Sequence, residues 1–357
     1  MATSSKHSHQ TLLPLLDSRD GVGSTDSKLI NGYFTKDEHG EVWVRKRPAF
    51  VDNTTYSDTY IAGKTPLGIF WWEGWGPYTV SSSGGTVTVR WMDMSGVGPY
   101  FWQTAGTFTA SAAPTGNPQF WFNTTGTTTN YMYLSNGSVG YTIKNNGSGS
   151  FTFAKITDVN YPPNQTPAVP LVPGSAFLDG TLYVMDYKAR IWGSANLYDP
   201  TTWGSTNMIP AQIEPDGGVA IAKQASYVVA FKQWTTEFFY DAANPTGSPL
   251  LPVTNAKLPM GCAAPYSVQS INDVLYFIGA NKSIGPAVYR IVGLQLSKVS
   301  TPAIEKALEY AVYNTGSLVG NVTSFQIRDS AHTFYGIETP NGTFVYDIEL
   351  NQWVQWN

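Results

Sequence analysis

The sequence has few of the residues from which catalytic and metal sites are usually built. It contains one cysteine, Cys262, and four histidines in 357 residues. A single cysteine excludes an intrachain disulfide, so folding does not require an oxidising compartment. His7 and His9 have no cysteine or carboxylate beside them at the spacing that metal ligands need. We therefore expect no metal and no cofactor, and we interpret all four histidines, with His39 and His332, as solvent-exposed or incidental.

Charge and long apolar runs are also scarce. Only 13% of the residues are charged, and the formal net charge is −4. Proteins that bind nucleic acid tightly usually show a basic excess on one face, so this composition argues against that class. Near the N-terminus the longest apolar stretch, residues 12–16, is interrupted by Pro14, which makes it too short for a signal peptide or a membrane span. We expect a soluble protein that is made in the cytoplasm.

Aromatic and turn-forming residues, in contrast, are abundant. The chain contains 12 Trp, 21 Tyr and 34 Gly, which is typical of many short strands joined by tight turns. Strand candidates recur with a period of about 50 residues, starting near Gly85, Ser138, Lys188, Thr235, Pro286 and Gly342. A four-stranded unit at this spacing predicts an all-β, β-propeller-like fold of about six blades. The alternative is a smaller propeller with an N-terminal β-sandwich.

The pattern divides the chain into three regions. Residues 1–26 are polar and without periodicity, which predicts a flexible N-terminal arm. Residues 27–60 contain a β-hairpin with a glycine in its loop, and residues 61–357 form the propeller-like domain. Within that domain, residues 79–153 are so rich in Thr, Ser, Gly and Asn that strand register is undetermined, and a separate β insertion is the alternative there.

One helix is predicted between two strands of the C-terminal part. Thr301 stands at the N-cap position and Pro302 fits the first turn. Ile304, Leu308 and Val312 then recur on one side, as in an amphipathic helix.

Paired carboxylates are candidates for a catalytic site, because many glycosidases have a propeller fold. Glu214, Asp216, Glu237 and Asp241 are the candidates for an acid and a nucleophile. Asp216 stands in a turn-like sequence where it can bond its own backbone, and Glu237 lies inside a strand where a structural ion pair is the simpler interpretation. Cys262 is interpreted as a small buried thiol. We therefore predict a protein that is not an enzyme, with a glycan-binding or glycan-cleaving propeller as the alternative.

Two segments are candidates for interfaces with other proteins. The segment "WWEGWGPY" places four rings around two glycines, and either packing or an exposed adhesive patch fits this pattern. Its rings belong to Trp71, Trp72, Trp75 and Tyr78. The hairpin ends in the only dense basic run, made of Arg45, Lys46 and Arg47.

Residues 175–308 resemble the packaged-DNA stabilisation proteins, the tail nozzle or hub subunits of short-tailed double-stranded DNA phages. The resemblance runs in order through "FLDGTLYVMD", "RIWGSANLYDPTTW", "IEPDGGVAIAKQASYVVAFKQWTTEFFYDA", "GCAAPYSVQSINDVLYFIGAN" and "VYRIVGLQLSKVSTPAIEKAL". The segments "LINGYFTK" and "VWVRKRPAF" in residues 29–50 are similar to the opening of that family.

The resemblance implies a structural virion protein of a phage tail. It implies a homo-oligomeric ring, usually a hexamer, that lies beneath the portal and the tail adaptor, continues the DNA channel and helps to retain packaged DNA until genome ejection. Further partners implied by it are a tailspike or tail fibre and a needle. The DNA is expected to pass without specific binding, and no membrane insertion is expected.

Overall fold

A computed structural model of the chain describes residues 29–36, 40, 42–47, 65–83, 85–92, 102–109, 119–125, 131–147, 150–319, 321–329 and 331–356. The N-terminal arm predicted for residues 1–26 lies outside the described residues, and so does the predicted hairpin loop at residues 37–39. The division into three regions stays a prediction.

The fold is a six-bladed β-propeller, as predicted, and each blade is an antiparallel meander. Blade one consists of β3 (Thr65–Trp72), β4 (Gly76–Ser83), β5 (Thr86–Met92) and β6 (Trp102–Thr109). Blade two consists of β7 (Trp121–Thr125), β8 (Tyr131–Ser135), β9 (Gly140–Gly147) and β10 (Ser150–Lys155). Blade three consists of β11 (Ala176–Leu178), β12 (Thr181–Met185), β13 (Arg190–Asn196) and β14 (Asp199–Pro210).

The C-terminal half repeats this plan with one irregularity. Blade four consists of β15 (Gly218–Gln224), β16 (Tyr227–Lys232), β17 (Thr236–Asp241) and β18 (Leu250–Pro252). Blade five consists of β19 (Gly261–Cys262), β20 (Gln269–Ile271), β21 (Val274–Ala280), β22 (Ala287–Val292) and β23 (Gln295–Lys298). Blade six consists of β24 (Thr323–Asp329), β25 (His332–Thr339), β26 (Gly342–Asp347) and β27 (Gln352–Trp356). In blade five, β19 and β20 both pair with β21, so the first strand is split.

The five pairs of blades that follow one another along the chain each share an apolar core, because alternate side chains of each strand point to opposite faces of its sheet. Between blades four and five, for example, the ring centroids of Phe231 and Phe277 are 4.8 Å apart. A single four-stranded sheet would leave both of its faces exposed, so stacking with neighbours is what stabilises each blade.

The propeller has two distinguishable faces. Turns between the second and third strands of a blade lie on the same side as the connections between blades. Two hydrogen bonds join these elements: Gly218 N donates to Tyr187 O at 3.0 Å, and Asn281 Nδ2 donates to Pro259 O at 2.9 Å. We call this side the helix face, because it carries α1. The opposite side, formed by the first-to-second and third-to-fourth strand turns, we call the turn face.

The predicted helix is α1 (Pro302–Thr315), which connects blades five and six. Ile304 and Leu308 are fully buried against both blades, and Val312 is partly buried there. Gly316 ends the helix in a left-handed conformation with φ 75°. Thr301 occupies the N-cap position without a capping side-chain hydrogen bond. Among the described residues, no helix combines the length and the apolar character that crossing a bilayer requires.

The N-terminal hairpin, β1 (Gly32–Lys36) and β2 (Val42–Lys46), packs on blade six. Tyr33 lies in a core with Phe334, Val345 and Val354, on the face of blade six that points away from blade five. A parallel bridge between Ile30 and Gln355 attaches the chain to the outer strand of that blade. The hairpin therefore contributes to the chain's own last blade.

Candidate functional site

A pocket opens on the helix face between blades four and five. Its volume is about 520 Å³. It is lined by residues 214–217 from the connection into blade four, by the turn 233–235, by the connection that contains Lys257, and by residues 281–283. Of the four carboxylates that the sequence singled out, Glu214 and Asp216 line this pocket, and Glu237 and Asp241 do not.

A fully buried lysine, Lys232, lies at the end of β16 beneath this pocket. Its ammonium nitrogen is 2.6 Å from Asp216 Oδ1 and 2.6 Å from Glu237 Oε1. It also donates hydrogen bonds to the backbone carbonyl oxygens of Ala211 and Glu214. Because an unpaired buried charge is strongly unfavourable, this lysine holds the incoming connection and β17 in one arrangement. The sequence analysis did not single out Lys232; a lysine directly after the apolar run "YVVAF" was the available signal.

Asp216 is held as a structural carboxylate, but the prediction that it bonds its own turn was wrong, because its partners lie in residues 232–235. Its Oδ2 accepts hydrogen bonds from the backbone N–H groups of Trp234 at 2.7 Å and Thr235 at 3.1 Å. Burial alone would raise the pKa of Asp216, but the hydrogen bonds from Lys232 and from the Trp234 backbone outweigh it and leave the pKa lowered. A carboxylate that stays ionised in this way is a poor proton donor.

The other carboxylates do not complete an acid and a nucleophile. The Lys232 ammonium stands between Asp216 and Glu237, at the place where a scissile bond would have to lie. Glu237 and Asp241 are near opposite ends of β17, roughly 13 Å apart along the strand at about 3.3 Å per residue. Glu214 pairs with Lys257 at 2.5 Å, and this hydrogen bond lowers the pKa of Glu214. The arrangement favours the structural interpretation of these residues.

His332 connects the hairpin to blade six, so the expectation that it is exposed or incidental was wrong. It is buried, its Nδ1 is 2.6 Å from Asp347 Oδ2, and its Nε2 is 3.3 Å from Thr35 Oγ1 on β1. The ring also packs edge-on against Tyr33, with centroids 5.0 Å apart. Histidines 7, 9 and 39 lie outside the described residues.

His332, Asp347 and Glu349 form the one group within the described ranges whose ligand atoms all lie within 4.8 Å of one another. Hydrogen bonds already occupy these groups: Glu349 Oε2 accepts from Thr333 N at 2.8 Å, and Asp347 Oδ1 accepts from Glu349 N at 3.1 Å. Burial raises the pKa of Asp347. The cluster acts as a hydrogen-bonded attachment between strands.

Cys262 is buried, and its Sγ donates to Ala264 O at 3.2 Å. Burial raises the pKa of its thiol to about 12. A thiol this difficult to ionise is a weak nucleophile, which confirms the prediction of a small buried cysteine.

The four rings of "WWEGWGPY" do not form one exposed patch. Trp72 and Tyr78 are buried in the core shared by blades one and two, and their ring centroids are 5.5 Å apart. Trp75 is half-buried beside Trp72, and Trp71 is exposed, with 61% of its surface accessible. Neighbouring residues of a strand point to opposite faces, so Trp71 and Trp72 cannot both be exposed on one side. The interface hypothesis survives only for Trp71, and it stays a prediction.

The basic run lies at the end of β2, next to the blade-six attachment. Arg45 and Lys46 are exposed, and Arg47 Nε donates to Asn31 Oδ1 at 2.9 Å. The same strand also exposes at least half of three apolar side chains, Val42 at 56%, Trp43 at 57% and Val44 at 50%. Whether this strand contacts another protein stays a prediction.

Comparison with known proteins gives one family match. Residues 121–357 match the family described as bacteriophage P22 Gp10, β-propeller. The match begins at the first residue of β7 and includes blades two to six. The tail hub protein gp10 of Salmonella phage P22 is 28% identical over 144 residues, which are 40% of this chain and 30% of that protein. The aligned part thus spans under a third of that relative's length.

Two solved structures are distantly similar to this chain. A protein from Lactobacillus plantarum is 11% identical, with a TM-score of 0.49 over 91% of this chain and 90% of that chain. The Pan2 WD40 domain of Neurospora crassa is 11% identical, with a TM-score of 0.46 over 85% and 81% of the two chains. Neither similarity is close enough to indicate a function.

Proposed function

The chain belongs to the bacteriophage P22 Gp10 β-propeller family, and from this premise we propose that it is a structural, non-enzymatic protein of a phage tail. In the proposal, copies of the chain form a hub or nozzle ring, usually of six, below the portal and the tail adaptor. The ring continues the DNA channel and helps to retain the packaged genome until ejection.

The observation that carries the proposal is the length of the family match. It includes five complete blades, so it concerns the architecture of the chain and not a short motif. The buried charges support the same view, since Lys232 forms ion pairs with both Asp216 and Glu237. A protein whose work is done by its surfaces needs no titratable site.

The chain's charge is also compatible with a passive channel. Each copy carries a formal charge of −4, so a ring of copies would offer passing DNA little net attraction. Lysine and arginine contacts to phosphates would instead hold the DNA and slow its ejection. Each such contact would also add about 0.9 to the slope with which binding weakens as salt increases.

The experiment is complementation of phage particles assembled without this chain. We expect such particles to package DNA and then to lose it, and we expect added wild-type chain to enter their tails and restore retention. Particles that hold their genome and infect normally without the chain would contradict the proposal. Hydrolysis of a glycan by the purified chain, abolished by Glu237→Gln, would favour the glycan-cleaving alternative.

A further inference from the structure

The face of blade one that points away from blade two is apolar and exposed at β3. On this strand Phe70 stacks on Phe122 of blade two, with ring centroids 5.4 Å apart, and Trp72 is buried in the core of the two blades. Because neighbouring strand residues point to opposite faces, Ile69 and Trp71 point away from blade two. They are 75% and 61% exposed, and no large apolar side chain among the described residues is more exposed than Ile69.

Four side chains on this face form an apolar stripe that crosses all four strands of blade one. Trp71 on β3 lies opposite Pro77 on β4, and Met92 on β5 lies opposite Trp102 on β6. The register between β4 and β5 places Pro77 beside Met92. We call these four residues the blade-one stripe. It spans three strand spacings, or about 14 Å.

The strands around the stripe carry almost no charge. Arg90 is the one charged residue in β3 to β6, and it is 6% exposed. The core of a protein–protein interface is depleted in charged residues and enriched in Trp and Met in the same way. A terminal unit of a repeat fold has a polar outer face when that face meets solvent. The blade-one stripe therefore has the character of a docking surface.

The N-terminal arm contains an apolar segment of matching length. Its longest apolar stretch is "LLPLL" at residues 12–16, within a polar sequence. Pro14 disfavours a helix through this stretch. An extended segment of five residues covers about 13 Å, which is close to the length of the stripe. Proline-containing extended segments dock on surfaces lined by aromatic side chains, such as Trp71 and Trp102 here.

The point at which the arm joins the propeller favours a neighbouring copy as the receiver. The described chain begins at Leu29, and Asn31 N donates to Gln355 O on β27, the outer strand of blade six. The hairpin covers the face of blade six that points away from blade five, and it thus separates the arm from blade one of the same chain. Residues 17–28 can span about 40 Å when extended, so residues 12–16 can reach another copy.

We propose that residues 12–16 of one copy of this chain dock on the blade-one stripe of the next copy. The inference rests on the proposed function, because it names a contact that links copies within the ring. An arm on a different surface of the neighbour is a heterologous contact, which produces a ring when the rotation between copies closes. In such a ring each copy donates one arm and receives one.

The first test alters both partners of the contact in the full chain. The arm variant combines Leu13→Ser with Leu15→Ser, and the stripe variant is Trp71→Ser. Leu197→Ser is the control, because Leu197 is 66% exposed on the turn face of blade three. Circular dichroism checks that all three variants fold.

Analytical ultracentrifugation over a concentration series then measures assembly. We expect oligomers of the wild type and of the control, and dissociation constants at least about tenfold higher for the arm and stripe variants. Combining the arm and stripe changes should weaken assembly by less than the product of the two single effects, because both remove the same contact.

The second test determines which copy receives the arm. The variant with Leu12→Cys and Ile69→Cys places thiols on the arm and beside the stripe. The native Cys262 should not react, because burial raises the pKa of its thiol to about 12. With a short bismaleimide we expect covalent dimers and larger products on a denaturing gel, and none from the wild type. Chains that are linked only internally would show docking within one copy and would overturn the proposal.

Contradictory outcomes separate the docking from the proposed function. The docking is wrong if the wild-type chain never self-associates, if either variant assembles like wild type, or if the two changes act independently. Each of these results leaves the tail function standing when the chain still enters tails and restores DNA retention. A chain that never enters tails would overturn the proposed function itself.

Discussion

Lys232 is a buried charged residue that depends on its carboxylate partners. Its ammonium group is fully buried, and carboxylate oxygens of Asp216 and Glu237 each lie 2.6 Å from it. Removing one partner of such a group is costly, because the remaining charges lose their compensation and stay out of water. The Glu214–Lys257 pair is the natural comparison, since 44% and 33% of these side chains are exposed.

Replacing Lys232→Met should therefore destabilise the protein strongly. We expect a loss of about 3–5 kcal/mol in the free energy of unfolding, because Asp216 and Glu237 are left buried and unpaired. The control Lys257→Met should cost about 0–1 kcal/mol, as exposed pairs usually do. Urea unfolding followed by tryptophan fluorescence measures both. Equal losses in the two variants would show that the buried cluster has no special role.

The lowered pKa of Asp216 predicts a pH dependence of stability. Its folded pKa lies below the unfolded value of about 3.8, so it stabilises the fold above that pH, and this contribution is lost as pH falls through the folded pKa. We expect Asp216→Asn to be less stable than wild type at pH 7 and to approach wild type below about pH 4. Urea unfolding across this range measures the difference, with Asp179→Asn as an exposed control. A stability difference that stays constant with pH would contradict the lowered pKa of Asp216.

Individual side chains were predictable where composition or a local periodicity applied, and they were missed where strand alternation was not used or where the contact is distant in sequence. The burial of Cys262 and of Ile304 and Leu308 followed from composition and periodicity. For Trp71 and Trp72, the prediction of a single patch did not take into account that adjacent strand residues point to opposite faces. The role of His332 depends on the hairpin, about 300 residues earlier in the chain, and local sequence gives no signal for such a contact.

Among the secondary-structure elements, the N-terminal hairpin is attached to blade six by both side-chain and backbone hydrogen bonds. Tyr33 is 2% exposed, and its hydroxyl donates to Asp329 Oδ2 at 2.8 Å. The backbone of Asn31 donates to Gln355 O at 2.8 Å. The hairpin therefore packs on the apolar face of blade six that points away from blade five.

Deletion of residues 1–26 and deletion of residues 1–47 should thus have different effects on the melting temperature. The shorter deletion should leave the melting temperature nearly unchanged and weaken incorporation into tails. The longer deletion should lower the melting temperature, because it exposes the core around Phe334 and Val345. Differential scanning calorimetry and a tail-incorporation assay measure the two effects. Normal incorporation of the shorter deletion would remove the arm from assembly, and an unchanged melting temperature of the longer one would contradict the attachment.

Blades one and two pack against each other at a glycine. A Cβ atom at Gly106 in β6 would lie 2.2 Å from the Phe153 ring of β10, so the two sheets approach closely there. Gly106→Ala should cost about 1–3 kcal/mol by overpacking. Thr107→Ala, exposed on the same strand, is the control and should be near neutral. Chemical unfolding compares them, and a neutral Gly106→Ala would contradict this packing.

Strand positions could be predicted better than strand partners. The recurrent strands predicted near Lys188, Thr235 and Gly342 are the third strands β13, β17 and β26 of their blades. No register was predicted for blades one and two because their composition is rich in Thr, Ser, Gly and Asn, although β5 does alternate Val87, Val89 and Trp91 with polar residues. The split first strand of blade five was missed as well, since Pro265 and Ser267 form a 3₁₀ turn between its halves and local pattern does not distinguish a break from an end.

For the whole molecule, the low content of charged residues and the formal net charge of −4 predict weak DNA binding. The isolated chain should bind duplex DNA no more tightly than about 10⁻⁴–10⁻⁶ M at physiological salt, the usual non-specific range. Fluorescence anisotropy at two salt concentrations measures this, and substituting Lys46→Glu beside Arg45 tests whether the basic run contributes. Nanomolar affinity with a steep salt slope would make the chain a DNA clamp and not a passive channel.

Electron microscopy of the purified chain, alone and with its tail adaptor, tests the central claim most directly. The account predicts closed rings of several propellers around an opening wide enough for duplex DNA, docked coaxially on the adaptor when it is present. Single discs at every concentration, with no attachment to the adaptor, would contradict the assignment of this chain as a structural ring of a phage tail.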